Sequence, residues 1–377
     1  MTEGFEVVIP GRAETNGTAR RPPEAAPDAL ALLGAYRDEH DDRDRPQPEP
    51  EDHRCRCGLC RDADAYLRDV VRGTLTERVL TVADVAALLG IAESALPDAC
   101  RAIVAGADLR YEVATGMAAH TEIVAAAQRL ATCEPVGPHR QPEWDAGWAD
   151  VAARYRATGN PATLLPQYVQ PAHRVLRFRG QYIWPVSPEF EPTILTVIQA
   201  WYATTWLKDA PVVCEFGCGP GHNLAAFARH RVRSVRYFGL DWSLAAVALV
   251  REIGFEGRLW DLRAPTAAAA PMPFGAAVVT CGALEQLGAD WRPFFDYLAR
   301  ARPAVVVHLE PFVELYDPTQ LFDFVADYYH RARGYLAGYL THLREQEQAG
   351  AVEILHLAKH LGSRDHDGWT TCVWRFR

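Results

Sequence analysis

Two kinds of hydrophobic patterning divide the chain. From residue 53 to about 165 the apolar positions recur at helical spacing. Thr81–Gly90 starts on a capping threonine and stops at a glycine. Ile91–Leu96 turns into a second helix, and further helical runs cover His120–Ala131 and Trp144–Ala157. Pro161 and Pro166 mark a boundary. Beyond it the pattern changes. An amphipathic helix over 190–208, with Ile194, Leu195, Ile198, Trp201, Tyr202 and Trp206 near one face, leads into short apolar runs that read as buried strands. These runs are Pro211–Cys214, Val235–Ser243, Gly257–Leu262, Pro273–Cys281 and Pro303–Glu310. A long helix is expected from Pro318 to Gln348, then an antiparallel pair, Val352–His356 with Thr370–Phe376. Strands alternating with helices and closed by a hairpin predict an α/β fold, a parallel sheet with one reversed strand.

Composition refines this picture at the N-terminus. Residues 1–52 are rich in Pro, Glu, Asp and Arg, bury little, and read as a flexible tail with a short helix near 28–37. The 377 residues allow a second domain or a large cap beside the sheet. Residues 53–165 are therefore expected to form a helical cap or a dimerisation region, and a homodimer is one expected assembly. Residues 166–377 are expected to form the catalytic domain. A net charge of −9 argues against a general nucleic-acid or anionic-membrane binder, which needs a basic face. No apolar run approaches the ~20 residues that span a bilayer, and the start Met1–Glu6 lacks signal-peptide character. The cysteines number nine, an odd count with several in expected core strands, which reads as a reduced, cytoplasmic protein.

The most informative stretch is Glu215–Asn223, in which Gly217, Gly219 and Gly221 follow an apolar run and precede a helical one. Alternate glycines let a backbone pass close under a ligand at the carboxyl end of a strand. The spacing is G-x-G-x-G rather than the G-x-G-x-x-G of dinucleotide sites, and no Gly-Lys-Ser/Thr ending follows, which excludes a P-loop. Glu215 would repel a pyrophosphate and attract an ammonium group. The next two expected strands end in Asp241 and Asp261, and an acid at the first of these positions commonly binds ribose hydroxyls.

This constellation resembles the class I S-adenosylmethionine-dependent methyltransferases over about 179–377. The resemblance implies a Rossmann-like seven-stranded sheet with S-adenosyl-L-methionine as cofactor. It implies that Glu215, Gly217, Gly219 and Gly221 hold the methionine part and that Asp241 binds the ribose. Trp242 would flank the adenine, and Asp261 with Leu262 would approach its edge. In this family the segment before the first strand often folds over the cofactor, so Tyr182 is a candidate to cover the sulfonium and Arg179 to pair with the methionine carboxylate. An aromatic stripe in the core is the competing reading of Tyr182.

Methyl transfer needs alignment and, for oxygen or carbon-acid acceptors, proton removal. The family places the acceptor at the ends of the fourth and fifth strands. There the chain carries Glu285, Glu310 and His308, the candidates for base or acceptor orientation, each of which also reads as a surface carboxylate or a satisfied core histidine. The fourth-strand end Cys281–Leu284 lacks the Asn/Asp-Pro-Pro-aromatic run of base-modifying methyltransferases, and the paired-glutamate loop of protein arginine methyltransferases is not evident. Stretches 310–317 and 333–340 resemble methyltransferases of polysaccharide or natural-product pathways. A small-molecule acceptor is therefore expected. A peptide or protein methyltransferase, or a non-catalytic cofactor-binding regulator, are the alternatives.

Two other motifs carry weaker signals. His53, Cys55, Cys57 and Cys60 are zinc-type ligands without the second ligand pair of a structural site, so no metal is assigned. Thr81–Leu96 has the outline of a helix-turn-helix, but the following segment carries one arginine among acids, too few basic or amide side chains to read a major groove.

Overall fold

The computed structural model describes residues 77–169, 175–231, 233–265 and 272–377. The chain divides into two units, 1–45 and 46–377, and every described residue belongs to the second. The expected tail, the helix near 28–37 and the His53–Cys60 cluster lie outside the described residues.

Five parallel strands form the centre of the sheet. They are β5 (Val212–Phe216), β6 (Arg236–Asp241), β7 (Glu256–Leu259), β8 (Ala277–Cys281) and β9 (Val305–Leu309). All of β5 is buried, as a strand covered on both faces must be. β11 (Trp369–Phe376) runs antiparallel to β9, and β10 (Val352–Gly362) runs antiparallel to β11. Across the sheet these seven read β7-β6-β5-β8-β9-β11-β10. The chain moves outward from β5 to β7, then crosses back to β8 on the other side. That reversal puts a crevice at the carboxyl ends of β5 and β8, where open α/β sheets bind ligands.

The sheet does not stop at seven strands. The C-terminal end of β10 pairs Leu361 with Phe178 and Gly362 with Arg177, and so recruits β3 (Leu176–Phe178). β4 (Gln181–Pro185), β2 (Arg110–Val113) and β1 (Glu77–Val79) follow, all antiparallel, for eleven strands among the described residues. The region expected to be a helical cap thus supplies two strands as well as helices.

Those helices pack onto the sheet domain. α1 (Val82–Leu88) has the expected Thr81 cap, closed as a capping box by Asp84. α2 (Asp98–Ala105) packs on α5 (Phe190–Thr205), with Cys100 and Val104 buried and Cys100 Sγ 3.5 Å from the Val197 carbonyl. The second element of the helix-turn-helix outline is therefore turned into the core. α3 (Gly116–Leu130) lies against α9 (Leu321–Arg333), and α4 (Gln141–Thr158) lies against α7 (Leu244–Glu252). α6 (His222–His230) follows the glycine turn and packs on α5. On the other face, α8 (Arg292–Ala301) and α10 (Tyr339–Gln348) bury Phe294, Phe295, Tyr339 and Leu343 against the sheet.

The single long helix expected over 318–348 is two helices. α9 ends at Gly334 (φ 63°), and α10 starts after Gly338 (φ 80°). Left-handed glycines at both places stop one helix and turn the chain into the next.

Candidate functional site

The turn after β5 is built around its glycines. Gly217 and Gly219 have φ of 70° and 48°. A Cβ on Gly217 would stand 2.3 Å from the Ala283 Cβ, and one on Gly219 would stand 3.0 Å from Trp148 Cζ2. Gly221, by contrast, faces Val250 and Ile253 and serves the packing of α6 rather than the crevice.

Asp241 ties the turn to the end of β6. Its Oδ2 accepts from the Gly219 N–H at 2.9 Å, and its Oδ1 accepts from the Ser243 N–H at 2.8 Å. Each carboxylate oxygen keeps one further lone pair. Burial raises the Asp241 carboxyl to about 6, against the opposing pull of the backbone N–H groups of Ser243, Gly219 and Trp242. Glu215 is fully buried at the end of β5. Its Oε1 accepts from Asn223 Nδ2 at 2.7 Å, and Asn223 Oδ1 in turn accepts from Gln199 Nε2 at 2.7 Å. Glu215 Oε2 is buried with no hydrogen-bond partner among the described residues. Burial raises this carboxyl to about 8.

A cleft of about 700 Å³, including its open mouth, lies above the turn. Of the residues singled out in the sequence, Gly217, Gly219, Asp241, Trp242, Asp261 and Leu262 line it, and Asn223, the partner of Glu215, does too. Arg263 stands over the Trp242 ring at 4.5 Å. The far wall comes from the N-terminal region. Trp144 and Trp148, stacked at 5.5 Å, project from α4, and Pro166 and Tyr168 follow. α4 is tethered here by the Ser243 hydroxyl on Asp145, by Gln141 Nε2 on the Trp242 carbonyl at 3.3 Å and by Arg156 on Glu252 at 2.8 Å. Sequence reasoning missed this wall. The i, i+4 spacing of Trp144 and Trp148 was the available signal, but it also fits ordinary core packing.

A second, larger cleft of about 1420 Å³ adjoins the first and shares Trp144, Tyr168, Cys281, Gly282 and Gln286 with it. Glu285 lines it. Glu310 lies beneath, fully buried. Its Oε1 accepts from the N–H groups of Ala283 and Leu284, both at 3.0 Å, and its Oε2 accepts from that of Glu285 at 3.1 Å. Burial raises the Glu310 carboxyl, against the opposing pull of these three backbone donors. Burial and this neighbouring carboxylate hold the Glu285 carboxyl well above its ordinary range. Glu310 thus shapes the loop, and Glu285 presents a proton-exchanging group to the cleft.

Three candidates lie elsewhere. His308 is fully buried, bonded through Nδ1 to Thr280 Oγ1 at 2.8 Å and through Nε2 to the Tyr339 hydroxyl at 3.0 Å. Burial lowers it to about 3, and it lines neither cleft. Tyr182 is buried in β4, its hydroxyl donating to the Arg364 carbonyl at 3.1 Å and its ring edge-on to Phe322. Arg179, in the β3–β4 turn, pairs with Asp84 at 3.5 Å. The segment expected to cover the cofactor is instead a hairpin of the extended sheet. Neither Tyr182 nor Arg179 reaches the glycine turn, whose cover is α4.

No protein-family model matches the chain, and no curated protein matches it. Solved structures do. The N-methyltransferase NodS from Bradyrhizobium japonicum WM9, in complex with S-adenosyl-L-homocysteine, is 16% identical, covers 48% of this chain and 84% of its own, with a TM-score of 0.35. The [4+2]-cyclase SpnF is 13% identical and covers 65% and 97%, with a TM-score of 0.40. The N-terminal domain of EvdMO1 with S-adenosylhomocysteine bound is 17% identical and covers 48% and 81%, with a TM-score of 0.32. The strand order of the central seven strands is that of the class I methyltransferase fold.

Proposed function

We propose that this protein is an S-adenosylmethionine-dependent methyltransferase acting on a small-molecule acceptor. One observation carries the reading. Beneath a glycine turn at the sheet's reversal point lies the buried Glu215 carboxyl, one oxygen of which has no partner among the described residues, and Asp241, 26 positions further along the chain, is bonded to that same turn. The residues fit the cofactor. Glu215, through the Asn223 layer, favours an ammonium group; the free lone pairs of Asp241 suit ribose hydroxyls; Trp242 offers a ring to the adenine, with Asp261 and Leu262 beside it.

When bound, S-adenosylmethionine supplies an electrophilic methyl group. The chain's own residues do the rest. The wall shared by the two clefts, at Cys281 and Gly282, sets the acceptor beside the donor. Proximity and alignment of this kind contribute ~7–11 kcal/mol. Trp144 and Tyr168 line both clefts where they join, and Trp148 stands beside them in the cofactor cleft. Glu285, when ionised, accepts the proton that an O–H or N–H acceptor gives up, and Glu310 holds its loop in place.

Calorimetry with S-adenosylhomocysteine tests the reading. Micromolar binding, lost in Asp241→Ala, is expected. No binding, or binding that Asp241→Ala leaves intact, would overturn it. Mass spectrometry of a metabolite extract incubated with methyl-labelled cofactor then tests the transfer.

A further inference from the structure

Among the described residues, the larger cleft contains one cation without a carboxylate in ion-pair contact. Four arginines line it. Three are neutralised by carboxylates: Arg129 by Asp365 at 3.1 Å, Arg140 by both oxygens of Glu143 at 2.9 and 2.8 Å, and Arg364 by Glu122 at 2.8 Å. Arg333 differs. Its guanidinium donates to the Glu134 carbonyl and, at 3.4 Å, to the Tyr335 hydroxyl, both neutral. It has no carboxylate within ion-pair distance among the described residues, and its Nε is buried with no partner among them. Glu285, which lines the same cleft, acts on Arg333 only at longer range and makes no ion pair with it.

Around Arg333 the walls are flat and aromatic. The Tyr329 ring stacks on His366 at 5.3 Å, and Tyr335 lies 5.4 Å from the same imidazole. Arg333 itself stands over the Tyr335 ring at 5.1 Å. Burial keeps His366 neutral, lowering it to about 3, so it adds no second cation. At the other end of the cleft, Trp144 and Tyr168 meet edge-on at 6.5 Å beside Gly282, where the two clefts join. An unbalanced guanidinium wants an oxyanion, which it can hold by charge-assisted bonds. Ring-faced walls want a planar apolar body.

Resting on the methyltransferase reading above, we propose that the acceptor is a planar aromatic compound carrying an acidic group. The acid, a carboxylate or its phosphate or sulfate equivalent, is held by Arg333. The ring lies among Tyr329, Tyr335 and His366, and the atom to be methylated points to Gly282 and Glu285.

The test compares hydroxylated aromatic carboxylates, 4-hydroxybenzoate and larger hydroxynaphthoates, with their methyl esters. Binding is measured by calorimetry or ligand-observed NMR, with and without S-adenosylhomocysteine. The acids should bind at least about tenfold tighter than the esters. That ratio should fall to about one in Arg333→Gln and survive in part in Arg333→Lys, which keeps the charge without the planar fork. Esters binding as well as acids, a ratio unchanged in Arg333→Gln, or no acid binding at all would each overturn the proposal. The titrations without S-adenosylhomocysteine read the acid preference whether or not the cofactor reading holds. Undiminished S-adenosylhomocysteine binding by Arg333→Gln shows that the variant is folded, and its melting temperature does so if the cofactor reading itself fails.

Discussion

The indole of Trp148 occupies the space that a side chain on Gly219 would need. Three of its ring carbons lie 3.0–3.3 Å from where that Cβ would be built. A helix from the N-terminal half of the chain therefore closes the glycine turn from above, while Asp241 holds the turn from the side. The cap and the sheet domain make one site, although the two residues stand 71 positions apart in the chain.

Gly219→Ala should accordingly damage binding more than stability. The left-handed backbone at this position costs a non-glycine residue on the order of 1–3 kcal/mol, and the methyl group displaces Trp148. S-adenosylhomocysteine affinity is expected to fall at least about tenfold, with a melting temperature lower by a few degrees. Calorimetry and differential scanning checks this. Affinity equal to that of the parent protein would mean that the turn does not hold the ligand.

Asp241→Asn and Asp241→Ala should separate structure from recognition. Alanine leaves the Gly219 and Ser243 N–H groups unpaired, at a cost of about 1–3 kcal/mol each. Asparagine keeps one of those bonds. Both variants should lose most of the S-adenosylhomocysteine affinity, but only alanine should lower the urea midpoint markedly. Equal midpoints for the two would contradict the assigned hydrogen bonds.

How much of this was legible in the sequence varies by element. β5, β6, β8 and β9 were, because buried parallel strands are largely apolar runs between glycine and proline stops, and β7, EGRL and half exposed, was legible from its interval after β6 and the acid that ends it. β1 to β4 were not. β1 is three exposed residues and β4 ends in a proline, so neither has a pattern of its own. They add onto the edge of β10 opposite β11, where Leu361 pairs with Trp369 on one side and Phe178 on the other. The site divides the same way. Gly217, Gly219 and Asp241 act through neighbouring backbone and follow from local spacing. Trp148 and Arg333 reach their clefts through tertiary packing, which no local pattern records. His308 reads the same in sequence whether it faces a ligand or, as here, Thr280 and Tyr339.

His308→Phe should behave as a core substitution. It leaves the Thr280 and Tyr339 hydroxyls without their shared partner, and a loss of about 1–3 kcal/mol in urea unfolding is expected. If methyl transfer is observed, the pH profile of kcat should keep its midpoint, because this imidazole lines neither cleft. Glu285→Gln should instead remove the alkaline rise of that profile. A midpoint that moves in His308→Phe and stays in Glu285→Gln would reverse the two assignments.

The pH dependence of stability in the ligand-free protein follows from two opposed sets of groups. His222, His330 and His360, lowered to about 4, and His308 and His366, lowered to about 3, bind fewer protons folded than unfolded up to the ordinary histidine value of 6.5. Their depressed values make stability rise with pH until about 6.5. Glu215, raised to about 8, and Glu285, also raised, bind more protons folded than unfolded above the ordinary value of 4.5. Their contribution is fully present below that value and is lost as pH climbs through the folded one. Asp241, raised to about 6, adds to the loss only at the acidic end of this range. Below 6.5 the five histidines outweigh these carboxyls and Glu310, which burial also raises, and from 6.5 to 8 the glutamates act without them. Stability should therefore peak near pH 6.5 and decline toward pH 8, by at most about 1.4 kcal/mol per pH unit for each glutamate. In Glu215→Gln, which can still accept the Asn223 bond, the decline should be less steep. Urea unfolding at pH 5.5, 6.5, 7.25 and 8 measures both slopes. A parent curve flat above 6.5, or a Glu215→Gln slope equal to that of the parent, would show that Glu215 does not carry its proton in the folded state.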